Sequence, residues 1–324
     1  MIVIDTFKSP AANLFIMSKA VVQEKSSFLW WLLPVIGGIL LLLCIIAIPF
    51  IVILIPDNIE SGNVAVIEIR GIIMEDGVSF SGDITAASEI VAYINDANED
   101  PLIRAIVLDI NSPGGSAVAS DEIASALKQS SKPTVALIHE IGTSGAYWVA
   151  SAADTIIANR MSITGSIGVI ASYLEFSKLM DDYGITYQRL VAGKYKDVGT
   201  PFKKLSTDEQ QLLQSKLDKI HDAFITEIAE NRDLTKAQVR AVATGEFFLG
   251  DEAQKYGLVD MLGSSTELEL HLKEVLGIEE IEYAHYQREP TLFDVLSQVA
   301  SEFSFSVGKG IGSSLTEQKP LIVA

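Results

Sequence analysis

The sequence is nearly empty of cysteine. Its single cysteine, Cys44, lies inside a long apolar run. The rest of the chain therefore holds no internal disulfide, no cysteine nucleophile and no zinc–thiolate site. The residues before Cys44 are leucines (LLLLC) rather than the small residues that precede a lipidated cysteine, so it reads as apolar filler. Histidine is scarce too. His139, His221, His271 and His285 are scattered without metal-ligand spacing, and neither a metal nor a cofactor is expected. Blocks of lysine or arginine are also missing. With 24 basic against 42 acidic residues the net charge is −18 and the pI about 4.6, which argues against nucleic acid as a partner, since phosphate binding needs a basic face.

The fourth absence is local. Between Phe28 and Pro56 there is no charged residue at all, and the run exceeds the roughly 20 residues that cross a bilayer. Trp30 and Trp31 stand at its start, where an interfacial aromatic belt belongs. A cleavable signal peptide would have a shorter apolar core ending in a small-x-small site, and none is found near Ala47. The reading is an uncleaved anchor over 28–56. Pro34, Gly37, Gly38 and Pro49 are tolerable in it. Lys8, Lys19 and Lys25 precede the run, Asp57 and Glu60 follow it, and no basic residue comes before Arg70. The positive-inside rule then places residues 1–27 in the cytoplasm and the bulk of the chain outside a single-pass cell membrane.

From Asn63 the pattern is that of an α/β domain over 57–289. Apolar runs with strand composition begin at Asn63, at Ile103–Ile110 (IRAIVLDI), at Thr134–Glu140 (TVALIHE), at Thr155–Ala158 and at Ile185–Val191. Helical spacing covers Ile84–Ala97, Ala117–Leu127, Leu174–Tyr183 and Lys236–Val242. Ser206 and Glu209 have capping-box spacing and open a long helix with Leu213, Leu217, Ile220, Phe224 and Ile228 as its apolar stripe. Strands alternating with helices predict largely parallel pairing. NSPGG (Asn111–Gly115) reads as a turn, and AGKYKDVGTP (Ala192–Pro201) as a loop. From Pro290 the chain changes character. Phe293, Val295, Leu296, Val299 and Phe303 suit one amphipathic helix, broken by Gly308, Gly310 and Gly312. The 290–324 arm is expected to serve packing or oligomer contact, because its polar face is not basic enough for a membrane surface.

Two stretches carry the chemistry. In GTSGAYWVASAAD (Gly142–Asp154) a strand, a small-residue turn and a helix put Ser144 at a helix N-terminus. It is either an ordinary N-cap or a nucleophile beside unpaired backbone N–H groups. In NSPGG, Pro113 fixes φ while Gly114 and Gly115 let the backbone approach a ligand, and an N–H there could donate to a carbonyl oxygen alongside that of Gly145. A serine needs a base. His139 reads as a strand histidine, and a lysine serves only if its amine is neutral. Lys194 and Lys196 lie in the AGKYKDVG loop, where spacing alone would make either a solvated charge.

The segments NSPGGSAVAS, TSGAYWVASAADTIIANRMSITGSIGVI, AGKYKDVGTPFKKLS and FFLGDEAQKYGLVD, in that order, resemble the signal peptide peptidase SppA family of membrane-anchored serine proteases, over roughly Asn63–Val275. That resemblance implies a ClpP/crotonase-like fold of repeated strand-strand-helix units behind one N-terminal transmembrane helix. It implies Ser144 as nucleophile, Lys196 rather than Lys194 as general base, and Gly115 or Gly114 with Gly145 as the oxyanion hole. Ser166, in TGSIGV, would orient the lysine amine. It further implies a homo-oligomer, dome-shaped and with active sites shared between subunits, acting on peptides such as signal-peptide remnants in the bilayer. Ala146 and Trp148 stand where the family often has Gly and Tyr, and Trp148 is expected to reshape the cleft. A protease for one specific membrane protein, as the stomatin-operon proteases are, is the alternative. More distant are a crotonase-like acyl-CoA enzyme, disfavoured by the outward orientation, and a non-catalytic scaffold.

Overall fold

The computed structural model describes residues 34–45, 62–76 and 84–287. The chain divides into two units, Met1–Asn58 with Pro290–Ala324, and Ile59–Glu289. Of the first, residues 34–45 are described and form a helix (α1) with exposed side chains. Among the described residues no helix is long and apolar enough to cross a membrane. The remainder of the expected anchor over 28–56, and the amphipathic helix expected from Pro290, lie outside the described residues.

The second unit is a mixed α/β domain around a mostly parallel sheet. Its elements run β1 (Val64–Met74), β2 (Ile84–Ala86), α2 (Ala87–Glu99), β3 (Ala105–Gly115), α3 (Ala117–Lys128), β4 (Thr134–Thr143), α4 (Gly145–Ser151), β5 (Thr155–Ala158) and β6 (Ile163–Gly165). There follow α5 (Ser177–Asp182), α6 (Thr207–Asn231), α7 (Lys236–Val242), β7 (Phe247–Leu249), α8 (Gly250–Lys255), β8 (Met261–Leu262), α9 (Ser265–Leu276) and β9 (Tyr283–Tyr286). Among the described elements β1–β2–α2 and β5–β6–α5 have two strands before a helix. The two units between them, β3–α3 and β4–α4, have one each, because β3 and β4 run unbroken past the point where a second strand would begin.

The sheet order is β2-β1-β3-β4-β5-β8. On the outer side of β1, β9 pairs with Val64–Ile67 and β2 with Ile72–Met74. On the outer side of β4, β5 pairs with Val135–Ile138 and β6 with Ile141–Thr143. Among the described pairs only β6–β7 is antiparallel. The central strands are buried on both faces, which is why they read as continuous β-branched runs rather than alternating ones. Ile67, Ile69, Ile106, Leu108, Ile110 and Ile138 face the main core with α2, α3, α4 and α6. Val64, Val66, Val107, Val135 and Leu137 face a smaller core closed by Leu268 and Leu272 of α9.

Several expectations need correction. NSPGG is not a free turn: β3 continues through it, with Ile72 and Ile73 of β1 in register with Gly114 and Gly115. The helix expected over Leu174–Tyr183 shrinks to Ser177–Asp182, with none of its residues buried. No strand forms over 185–191, despite its composition. A strand needs a neighbour to satisfy its backbone, and among the described residues this stretch pairs with no strand. The capping box of Ser206 and Glu209 is present as read, and so is α7.

Candidate active site

Ser144 sits at the junction of β4 and α4 with φ 54° and ψ −124°. An L-residue holds such angles only when its surroundings impose them. Here the Ser144 N–H donates to Gly165 O at 2.8 Å and its carbonyl accepts from Trp148 N at 3.0 Å. Its side chain makes no capping hydrogen bond, so the N-cap reading fails and the hydroxyl is left for other work. Among the described residues three non-glycines have positive φ, Ser144, Ser166 and Asp233. The first two line the same cleft, of about 400 Å³.

One wall of that cleft is the stretch after β6, with Ser166, Gly168, Val169 and Ile170. The other is one face of α6, Gln214, Leu217, Asp218 and His221, recurring at helical spacing. Ser166 Oγ donates to Gly245 O at 3.3 Å. His221 Nε2 is buried without a hydrogen-bond partner. Sequence reasoning passed over His221 and Asp218. Their signal was a polar row, four and seven residues after Gln214, running beside the apolar stripe.

The glycines crowd against Ser144. A Cβ on Gly114, whose φ is +92°, would stand 2.6 Å from Gly145 N and 3.0 Å from Ser144 Cβ. A Cβ on Gly115 would collide with Ile73 O, and one on Gly145 with Ser120 Oγ while standing 3.2 Å from Gly115 N. Only glycine fits at these three places. Their amides differ, however. The Gly114 N–H donates to Ser112 Oγ at 3.1 Å, so it is occupied. The Ser116 N–H donates to Ile73 O at 2.8 Å. Amides alternate in direction along a strand, so that of Gly115 points to the other side, toward Gly145. The Gly145 N–H opens α4 and has no partner within the helix.

Lys196 is exposed and does not line the cleft. Its neighbours are tied elsewhere. Lys194 Nζ stands 2.6 Å from Asp208 Oδ2 and 4.9 Å above the Tyr195 ring. The hydrogen bond to Asp208 holds its amine charged well above the ordinary lysine range, so Lys194 is unsuited to act as a base. Arg189 grips Asp197 through two contacts, 2.5 Å and 2.8 Å, and holds that carboxyl at about 2. Among the described residues Lys196 makes no ion pair. Within one chain the structure thus brings together Ser144, Ser166 and the glycines, but not Lys196. His139 stands 2.6 Å from Asp109, away from the Ser144 cleft. Trp148 does not reshape the cleft: it is buried, stacked on Phe224 at 4.6 Å between ring centres. Among the described residues no cluster of His, Cys, Asp and Glu could hold a metal ion.

Comparison with known proteins points to a peptidase family. Residues 126–279 match the model of peptidase family S49, a range that takes in Ser144, Ser166 and Lys196. The chain is 33% identical over 228 residues to a putative protease of Methanocaldococcus jannaschii, covering 69% of this chain and 73% of that one. It is 33% identical over 238 residues to Protease 4 of Salmonella typhi, covering 72% of this chain but only 38% of the relative. Its identity to a putative signal peptide peptidase SppA of Enterococcus faecium is 28% over 246 residues, 73% of this chain and 72% of that one. The chain thus spans about three quarters of two of these relatives and little more than a third of the other. It belongs to peptidase family S49, as a serine peptidase of the Protease 4/SppA kind.

Proposed function

We propose that this chain is a membrane-anchored endopeptidase with a ClpP/crotonase-like domain, in which Ser144 is the nucleophile and Lys196 the general base. The observation that carries the reading is the conformation of Ser144: a strained serine whose hydroxyl caps nothing, facing a cleft beside glycine amides. In the reaction the neutral Lys196 amine takes the Ser144 proton as Oγ attacks a peptide carbonyl. The Gly115 and Gly145 N–H groups hold the resulting oxyanion. The lysine ammonium protonates the leaving amine, and water then hydrolyses the acyl-enzyme. Ser166 orients the lysine amine. Gly114 drops out of the oxyanion hole in this reading, because its N–H is committed to Ser112.

Lys196 comes from a neighbouring copy. What supports this is its absence from the cleft lining within one chain and the exposed apolar side chains of the same 168–206 stretch, Leu190 98% and Ile170 86% exposed. Surfaces of that kind mark protein contacts. The anchor over 28–56 would hold the site beside extended apolar peptides, signal-peptide remnants in the bilayer among them, and so raise their encounter rate. A protease for one specific membrane protein remains the alternative substrate assignment.

The test uses the full chain in detergent and a fluorogenic apolar peptide. Ser144→Ala and Lys196→Ala should each abolish cleavage while Lys194→Ala retains it. Mixing the two inactive variants should restore part of the activity if the pair spans subunits. A second reading rests on His221, whose unpartnered Nε2 shares the cleft with Ser144 and could act as base within one subunit. It predicts the reverse: loss in His221→Ala and activity in Lys196→Ala.

A further inference from the structure

β3 changes register on both sides at one level. Against β1 the shift falls between Arg70 and Ile72, and against β4 between Ile110 and Ser112. Gly71, which faces the extra residue of β3, has φ 66°, and its carbonyl accepts from Ser112 Oγ at 2.6 Å. Ser112 is completely buried. Its hydroxyl has one proton to give and lone pairs to spare, and it accepts the Gly114 N–H at 3.1 Å. At the other end of the same peptide unit, Pro113 O accepts from Thr143 Oγ1 at 3.1 Å. Thr143 is also buried and immediately precedes Ser144. One peptide plane, Pro113–Gly114, is therefore gripped at its C=O and its N–H by two buried hydroxyls from different strands.

That plane sets the next one. Gly114 at φ +92° has no side chain to restrict its torsions, so nothing intrinsic stops the peptides around it from turning over. The Gly114–Gly115 plane is held from β1, where Ile73 is in register with Gly115, and the two hydroxyls hold the plane before it, so that together they aim the Gly115 N–H toward Gly145. Resting on the assignment of Ser144 and of the Gly115 and Gly145 amides above, we infer that Ser112 and Thr143 are positioning residues of the oxyanion hole, acting as a two-point clamp on the Pro113–Gly114 peptide. Their effect belongs to the transition state. The clamp aims a donor at an oxyanion that the bound substrate does not yet carry, so it changes kcat and leaves KM alone.

The experiment compares wild type, Ser112→Ala, Thr143→Val, the double variant and Ser144→Ala, each as the full chain in detergent. For each, kcat and KM are measured on one peptide. Inhibition constants are taken for a peptidyl aldehyde, whose adduct carries an oxyanion, and for the corresponding peptide amide, which forms no adduct. Either single substitution should lower kcat by about 10- to 100-fold, below the full loss of an oxyanion donor, and raise the aldehyde constant by the same factor. KM and the amide constant should stay within about twofold, because uniform binding is untouched. The double variant should cost little more than the worse single one, since both hydroxyls hold one peptide. Unchanged kcat in both single variants overturns the clamp. So does an amide constant that rises in step with the loss of kcat, which marks a collapsed cleft. If Ser112→Ala does not fold, Thr143→Val, which keeps its shape and loses only the hydroxyl, decides by the same criteria. Full activity in Ser144→Ala overturns the nucleophile assignment, and the clamp with it. Loss there with wild-type kinetics in the clamp variants overturns the clamp alone.

Discussion

A methyl group is enough to disturb this site. At Gly145 a Cβ would meet Ser120 Oγ and stand 3.2 Å from Gly115 N. Gly145→Ala is expected to lower kcat by roughly 100-fold, the scale of losing one oxyanion donor, with a stability cost of about 1–3 kcal/mol for overpacking. Steady-state kinetics beside a urea titration check both parts. Trp148 predicts the opposite balance. It is buried on Phe224 and lines no part of the cleft, so Trp148→Phe should leave KM within about twofold, while Trp148→Ala should cost about 3–5 kcal/mol of stability. The sequence made the place of Ser144 legible, at a junction of strand and helix, because a β-branched run is followed by small residues and an apolar helix; its role as nucleophile came only from the family resemblance. It also made the need for glycine at 114 and 115 legible, while that at 145 shows only in the contact with Ser120. Which of those amides is free was not legible, since that depends on a hydroxyl that reaches Gly114 only after two register shifts. Nor was His221, which joins Ser144 only once α6 is laid across the domain.

At the scale of elements, periodicity served best where an element is long and amphipathic and worst where it depends on a neighbour. β5 and α7 have the limits their residues predict, and the α6 capping box is in place. NSPGG was misread because proline and glycine suggest a turn, whereas β1 supplies a strand to pair with them. The stretch 185–191 was misread for the converse reason: its β-branched residues pair with no strand among the described residues. The start of α6 carries a pH dependence. Glu209 takes hydrogen bonds from Lys203 Nζ at 2.5 Å and from the Ser206 N–H and hydroxyl, both at 2.9 Å. Lys203 above all, with Ser206, holds its carboxyl at about 2 against an ordinary 4.5. A depressed carboxylate contributes stability that is complete above its ordinary value and is lost as pH falls through the folded one. Between pH 4.5 and about 2 the wild type should therefore lose stability faster than Glu209→Gln, as read by denaturant midpoints across that range. Parallel slopes in the two proteins would remove Glu209 from the account.

At the scale of the whole molecule, the α/β unit has one core on each face of its sheet, yet residues 168–206 stand largely outside both. Leu174, Tyr183 and Leu190 there are 72%, 77% and 98% exposed, an apolar surface that calls for a partner. Leu190→Asp combined with Leu174→Asp should shift the protein to smaller species in sedimentation and reduce cleavage in parallel. The unfolding midpoint of the α/β unit should not move, because neither side chain belongs to its cores. An unchanged sedimentation profile would dismiss the surface as an assembly contact. The conformation of Ser144 has a consequence for the molecule's durability as well as its chemistry. A residue held at φ 54° and ψ −124° costs the fold of order 1–3 kcal/mol, whereas glycine rests there freely at an entropic cost of about 0.5–1 kcal/mol. Ser144→Gly should therefore be inert yet more stable than the wild type by roughly 1 kcal/mol, and Ser144→Ala inert with no such gain. A serine that costs stability where glycine would not is what the nucleophile assignment requires: the fold gives up durability at the one position where the proposed chemistry needs a hydroxyl.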